Sequence, residues 1–511
     1  MSGLPLPRAV SRSAPLRRDG DALRVAGALP GAIGDLVGRA FGIRLFAVSD
    51  ETKADIVVRR AEPESAAPPR GADPRPADRS GRPEAYAVRP VAGALEITAD
   101  SDEAVFRALT TMAGYVDEGE LPTLTVTDHP EYTWRGLSLD VVRRWFPVSE
   151  VERIIDLLAL HKLSVLHLHL TDTQAWRFAV PGYPDITSGV DHYSAADLDH
   201  LVAYARDRFV TIVPEFDAPG HVAPTVTSEA GVPVGAAQHP FLRYLDASDD
   251  GVVAFTRTVF AELAERFDAG FLHIGGDEAF GGPHDVYGAY VRAAAADVRR
   301  LGRRVIGWQE TSRAGTLTRD DLGQLWIAER DRFDVDKAKA ATPAEYHALV
   351  ERAGELFAMS VDDPGRLAAA SVPALVSSSD PLYVDRRPSD PSTEPAQTAL
   401  WERLGMPSYE PTPTTSVLER SPGQQPDIAD AGLEVAGIEA ALWCESVQSF
   451  DDAATLLLPR LALVAQQAWA PDAAARSEVV AAAAAAAPVW SALGFDAFYR
   501  SVEIFAASQT S

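Results

Sequence analysis

Residues 164–172 read SVLHLHLTD, residues 195–208 read AADLDHLVAYARDR and residues 211–217 read TIVPEFD. The first and last are short apolar, β-branched runs that end in polar residues. The middle one spaces its apolar residues as an amphipathic helix does. The same strand–helix–strand rhythm extends to both sides. YTWRGLSLDV (132–141), FLHIGGDE (271–278), RVIGWQE (304–310), GQLWIA (323–328), PALVSSSD (373–380) and IEAALWCE (438–445) supply six more strands. Helical patterns at 151–162, 254–267 and 290–302 lie between some of them. Eight buried strands separated largely by helices predict a (β/α)8 TIM barrel. The competing open doubly wound sheet usually has fewer strands and a glycine-rich phosphate loop after the first, which WRGLSLDV lacks.

Ahead of the barrel the texture changes. ALRVAG (22–27), DIVVRR (55–60), AYAVRP (85–90) and ALEITAD (94–100) read as strands, with helical spacing at 31–42 and 103–116. A small α+β domain over residues 1–128 is therefore expected before a barrel over 129–511 with closing C-terminal helices. Within the small domain, residues 61–84 are rich in Pro, Arg, Ala and Asp and read as a mobile surface excursion. Near the C-terminus the Ala481–Ala487 run predicts a helix stopped at Pro488. Two connections, 328–372 and 386–430, are long for a barrel and are candidates to shape a site or an interface.

The chain has 511 residues, 46% of them hydrophobic, enough for a packed core, and a formal net charge of −26. That charge argues against nucleic acid and anionic membrane as partners. No stretch is long and apolar enough to span a bilayer, and the N-terminus lacks a leader-like apolar segment, so the expected compartment is the cytoplasm. Cys444 is the single cysteine, which excludes an intrachain disulfide and a thiolate cluster.

In a barrel of this kind the reactive groups collect at the C-terminal strand ends. Those ends hold Arg135 and Asp140, Asp172, Glu215, Asp217 with His221, Asp277 and Glu278, Glu310, Trp326, Tyr383 with Asp385, and Trp443 with Glu445. Carboxylates accept hydroxyl protons and aromatic faces cover the apolar side of a sugar ring, so this set suits a carbohydrate. Two-carboxylate glycosidases oppose their acids across the scissile bond. Asp277 and Glu278 are neighbours and do not readily do so. Glu278 is the candidate proton donor, and Asp277 the candidate to steady a nucleophile carried by the substrate. An ordinary two-carboxylate enzyme would instead need Glu215 as the partner of Glu278. Tyr383/Asp385 and Trp443/Glu445 have the period-2 spacing that puts each pair on one strand face, which turns Val384 and Cys444 to the opposite side. His167 and His169 share a face and read as interior hydrogen-bonded histidines rather than metal ligands.

The pieces WRGLSLDVVRRWFPV, HKLSVLHLHLTDTQAWR, VPEFDAPGH, HIGGDE, GWQE, YVD and LWCE, in this order, resemble the family 20 glycoside hydrolases, the β-N-acetylhexosaminidases. The resemblance implies a small α+β domain before a catalytic barrel, and a retaining exo-hydrolase that removes terminal β-linked N-acetylglucosamine or N-acetylgalactosamine through an oxazolinium intermediate. It implies that Asp277 and Glu278 are catalytic and that Arg135 holds sugar hydroxyls. Asp172 and His221 would support the acid. Trp308, Trp326 and Trp443 would wall the acetamido pocket and sugar face, Tyr383 would bond the acetamido oxygen, and Asp385 and Glu445 would bind hydroxyls. Thr173 and Gln309 depart from the residues usual at their positions, neither of which carries the core chemistry. No metal or cofactor is implied, and the expected partner is a small β-linked N-acetylhexosaminide. A non-catalytic amino-sugar-binding protein on the same scaffold is the alternative from another functional class.

Overall fold

The computed structural model describes residues 5–16, 22–63, 70–75, 80–81, 83–116, 120–222, 243–280, 282–419 and 421–506. Seven strands form the N-terminal sheet: β1 (Ala9–Leu16), β2 (Ala22–Ala26), β3 (Arg44–Val48), β4 (Ile56–Arg59), β5 (Tyr86–Val91), β6 (Ala94–Ala99) and β7 (Leu121–Asp128). Their order is β1-β7-β5-β6-β4-β2-β3, a mixed sheet. Helices α1 (Ile33–Phe41) and α2 (Asp102–Gly114) carry the apolar faces expected of them, and Ser101 caps α2 by accepting from the Ala104 amide. Strands β1, β3 and β7 add to the four read from the sequence.

The second body is a closed barrel of eight parallel strands: β8 (Trp134–Asp140), β9 (Val165–His169), β10 (Thr211–Glu215), β11 (Phe271–His273), β12 (Arg304–Trp308), β13 (Leu322–Leu325), β14 (Ala374–Val376) and β15 (Val435–Leu442). Helices α3 (Val148–Leu160), α4 (Ala195–Arg206), α5 (Asp250–Arg266) and α6 (His284–Arg300) connect the first five strands. A 3-10 turn, Gln309–Ala314, replaces a helix after β12. The long connection after β13 folds as α7 (Val335–Ala341), α8 (His347–Ala358) and α9 (Asp363–Ala369).

Inward-facing residues stack in layers because side chains alternate along each strand. Trp134, Val165, Val213, Phe271, Ile306, Leu322 and Leu375 make an apolar floor. Above it lies a polar layer: Glu439 accepts from the Trp134 indole (2.8 Å) and the Gln324 amide (3.0 Å) and pairs with His167 Nδ1 (2.9 Å).

Three sequence-based expectations are corrected. Residues 70–75 are not a loose excursion: Arg70 and Gly71 are exposed, but the segment is bonded to the barrel. They seal the floor, with the Ala72 amide donating to Ala436 O (3.0 Å) and the Gly270 amide to Pro74 O (2.8 Å). Gly71, at φ +90°, is required there, since a Cβ would lie 1.9 Å from the Ala436 carbonyl oxygen. The rest of that excursion at 64–69, 76–79 and 82 lies outside the described residues. The alanine-rich helix, Arg476–Ala485, ends before Pro488, which instead sits in the first turn of a new helix, Ala487–Ala492. A proline is tolerated there because no intrahelical N–H is needed. Finally, Tyr383/Asp385 and Trp443/Glu445 lie beyond β14 and β15 rather than on strands, yet Val384 and Cys444 are buried as the spacing suggested.

Candidate active site

The mouth of the barrel is organised around a tight turn after β11. Gly275 and Gly276 both have positive φ, and a Cβ on Gly275 would lie 1.8 Å from Asp217 Oδ1. The Gly276 amide donates to that same oxygen (3.0 Å). The close approach brings Asp277 beside Asp217 and sets Glu278 at φ 46°, a left-handed backbone conformation costly for a residue with a side chain. His221 has φ 48° in the loop after β10. Two non-glycine residues held in this region face each other. His221 Nε2 lies 3.7 Å from Asp277 Oδ2 and 3.5 Å from Glu278 Oε2, and its Nδ1 is 3.3 Å from Asp172 Oδ1.

Asp172 is the anionic anchor of this group. It meets His169 Nε2 at 3.0 Å and Arg143 Nη2 at 2.6 Å. Burial disfavours its charge, but His221, Arg143 and His169 outweigh that and hold its carboxyl well below the usual range. His221 answers in kind: burial opposes its protonation, while Asp172, Asp277 and Asp217 raise its pKa well above the ordinary imidazole value. Asp277 is pushed up to about 6, chiefly by burial, with His221 opposing and Glu278 adding. Asp217 is raised further, by burial and by Asp277.

Three rings form a continuous wall beside these acids. Trp308 and Trp443 have centroids 5.9 Å apart, and Tyr383 meets Trp443 edge-on at 5.8 Å. Trp326 follows directly on β13, where its indole donates to Glu310 Oε2 (3.1 Å). Gln309 fixes that strand end, its side-chain oxygen accepting from the Trp326 (3.1 Å) and Ile327 (3.2 Å) amides. On the other side, Arg143 bonds Asp140 (3.2 Å), approaches Glu445 (3.9 Å) and lies over the Trp443 ring. Asp385 is buried and neither of its oxygens has a hydrogen-bond partner among the described residues. Burial and Glu445 push it up to about 8.

Arg135 does not belong to this set. It sits at the start of β8, fully buried at the floor, where it bonds Glu84 Oε2 (2.7 Å) and Lys162 O (2.8 Å). Five residue steps along the strand, at about 3.3 Å each, separate it from Asp140 at the mouth. The arginine that reaches the mouth is Arg143, and the signal for it was present: it follows Asp140 in LSLDVVRR. Glu310 and Asp217 also press on Asp277, both raised in pKa by burial and by its charge.

Glu215 is not free to attack anything. It is fully buried, accepts from the Trp308 indole (2.8 Å), and faces His273 Nδ1 (3.1 Å), His167 Nε2 (3.3 Å) and His169 Nδ1. His167 and His169 are thus interior hydrogen-bonded histidines. Cys444 is buried, its thiol pKa raised well above normal by burial, and its amide donates to Asp140 (3.0 Å). Among the described residues, four groupings have ligand-capable atoms within 4.8 Å of one another: His167/Glu215/His273, His169/Glu215/Asp217, Asp172/Asp217/His221 and His221/Asp277/Glu278. In each of them histidine nitrogens face carboxylate oxygens.

The sequence matches the catalytic domain of glycosyl hydrolase family 20 over residues 132–285 and 360–472. A β-N-acetylhexosaminidase of Cellulomonas fimi is 33% identical over 435 residues, covering 81% of this chain and 79% of its own. A mutant Streptomyces plicatus β-hexosaminidase solved with its product GlcNAc superposes with a TM-score of 0.76 at 26% identity, over 98% of this chain and 97% of its own. The family 20 β-N-acetylhexosaminidase of Streptomyces coelicolor gives the same TM-score of 0.76 and 26% identity over 98% of each chain.

Proposed function

Because the chain belongs to glycosyl hydrolase family 20, we propose that it is a retaining exo-β-N-acetylhexosaminidase whose nucleophile is the acetamido oxygen of its own substrate. The observation that carries this reading is the disposition of the carboxylates. Asp277 and Glu278 stand side by side within 3.7 Å of one histidine nitrogen, while Glu215, the candidate for an opposed enzyme nucleophile, is locked among Trp308 and three histidines.

In this mechanism the acetamido oxygen attacks C1 as the glycosidic C–O bond breaks and Glu278 gives its proton to the departing oxygen. Positive charge spreads over the new oxazolinium ring, and Asp277, ionised above about pH 6, stabilises it and orients the amide N–H. Water then attacks C1, Glu278 takes its proton, and the ring reopens to the β-anomer. The aromatic wall of Trp308, Trp326, Trp443 and Tyr383 pre-positions the attack, an entropic gain of several kcal/mol when the reacting atoms are aligned. Arg143, Asp385 and Glu445 hold the hydroxyls of a terminal N-acetylglucosamine or N-acetylgalactosamine, Arg143 taking the role expected of Arg135. The test is hydrolysis of an aryl N-acetyl-β-glucosaminide with the product anomer followed by NMR. The β-anomer should appear first. A folded enzyme without turnover, or one releasing the α-anomer first, would reject the reading.

A further inference from the structure

Glu215 and His169 make and break no bond in the reaction, yet they stand in one line with the groups that do. His169 Nδ1 meets Glu215 Oε2, and its Nε2 lies 3.0 Å from Asp172 Oδ2. Asp172 Oδ1 lies 3.3 Å from His221 Nδ1, and His221 Nε2 faces Asp277 and Glu278. Carboxylate and imidazole thus alternate from the core of the barrel to its mouth. The hydrogen bonds fix the charge of the rings, because a neutral imidazole offers one N–H and one lone pair. His273 fits that pattern: its Nδ1 accepts from the Gly275 amide (3.0 Å) and its Nε2 donates to Gln324 Oε1 (3.2 Å). Burial lowers its pKa. His169 does not fit. Both of its nitrogens face carboxylate oxygens, so a lone pair on either would be opposed by negative charge, and both carry hydrogen. Burial disfavours that cation, but Glu215 and Asp172 outweigh burial and raise its pKa well above the ordinary value. Glu215 is held from two sides, by His169 at Oε2 and by the Trp308 indole at Oε1 (2.8 Å).

We propose that His169 and Glu215 are positioning residues for this reaction, a buried imidazolium–carboxylate pair that carries the Asp172–His221 pair down into the barrel and sets the charge balance in which Asp277 works. This role rests on Asp277 being the ionised partner of the acetamido group. Asp172 is shared between the two histidines: Oδ2 takes His169 and Arg143, while Oδ1 takes His221 and the Thr173 amide. Glu215 adds to the rise in the Asp277 pKa, and His169 is the cation paired with Glu215. The other groups that act on Asp277 are His221 and Asp217 beyond β10, Glu278 on its own turn and Glu310 after β12, with Tyr287 of α6 and Tyr383 beyond β14. All six keep their identity when His169 or Glu215 is replaced, so a change in the titration of Asp277 reports on the pair.

The test follows the acid limb of the kcat/KM profile, expected at about pH 6 from Asp277, on an aryl N-acetyl-β-glucosaminide. His169→Gln removes one buried positive charge, while Trp308 and His167 still face Glu215. Asp277 then holds its proton more tightly, and the limb should move up by about one pH unit, the low end of what a neighbouring charge does. His169→Gln combined with Glu215→Gln removes both charges of the pair, and the limb should return to its wild-type position. KM should change little in either variant, since neither residue reaches the substrate. A limb that stays in place in folded His169→Gln overturns the proposal. So does a raised KM with an unmoved limb, the mark of a residue that only packs the Trp443 ring, which His169 meets edge-on at 5.2 Å. If the variants do not fold, neutron diffraction from wild-type crystals near pH 7 decides. Deuterium on both ring nitrogens of His169, and on Nε2 alone of His273, supports the pair; a neutral His169 overturns it. Asp277→Asn separates this role from the catalytic reading. A limb that survives that substitution removes both, whereas a limb that Asp277→Asn abolishes and His169→Gln leaves in place removes the role of the pair alone.

Discussion

At the floor of the barrel Arg135, Arg107 and Glu84 are buried together, with Glu84 bonding both guanidinium groups at 2.7 and 3.2 Å and Arg135 also held by Lys162 O. A second knot nearby joins Lys162, Tyr86 and Trp469 to the two oxygens of Asp128. At the mouth the same residue types are left short of partners. Asp277 Oδ1, both oxygens of Asp385 and His221 Nε2 are buried without a hydrogen bond among the described residues. Glu278 and Glu445 keep 32% and 39% of their side chains exposed. A buried polar group without a partner is costly. The floor therefore uses charge to join two bodies of the chain, and the mouth holds charge ready for a substrate. Burial alone does not mark function; acids and bases with shifted pKa values gathered at the strand ends do.

The comparison breaks if changes at the mouth behave like changes at the floor. The largest effect is expected for Glu278→Gln. Turnover of substrates with poor leaving groups should fall by ~10²–10⁴-fold, the usual worth of general acid catalysis, and far less for activated aryl glycosides, which need little protonation. Asp277→Asn should slow both kinds of substrate by about 10²–10³-fold, mainly in kcat, because the charge it supplies acts in the transition state. Azide should not rescue it, since no enzyme nucleophile is missing. Equal losses on all substrates for both variants would leave the two roles unsupported.

The two arginines of the first strand segment sharpen the contrast. Arg135→Met strips a buried partner from Glu84 and should destabilise the fold by about 3–5 kcal/mol, read in denaturant, with little change in kcat/KM of the folded enzyme. Arg143→Met should in addition lower kcat/KM by about 10–100-fold through a lost charge-assisted contact, with a fall in the unfolding midpoint as well because Asp172 and Asp140 lose a buried partner. The smallest effect is in pH. Asp277, at about 6, must be ionised, so kcat/KM should decline as pH falls below about 6 and hold above it on this limb. Asp277→Asn should erase that limb; a limb that survives the substitution assigns it elsewhere.

The barrel was legible because its strands end in polar residues and its helices carry an apolar stripe, both local properties. So was the pairing of Asp277 with Glu278 after two glycines. The misplacement of Arg135 was avoidable, since counting along β8 puts it at the floor and Arg143 past the mouth. The seal at 70–75 was not legible: its backbone groups bond Ala436 and Gly270, hundreds of residues away, and its composition resembles that of solvated chain. Nor could spacing show that Glu215 is occupied, because its partners come from three other strands, β9, β11 and β12. The helical pattern in 328–372 was visible, but not that Phe357 would pack against Trp326.

The central claim is that the substrate supplies the nucleophile. It is tested most directly with aryl N-acyl-β-glucosaminides in which the acetyl methyl carries zero, one, two or three fluorines. Each fluorine drains electron density from the amide oxygen and leaves the aryl leaving group unchanged. The account predicts that log kcat/KM falls steadily along the series. A flat series, or efficient hydrolysis of the aryl β-glucoside that lacks the acetamido group altogether, would contradict it.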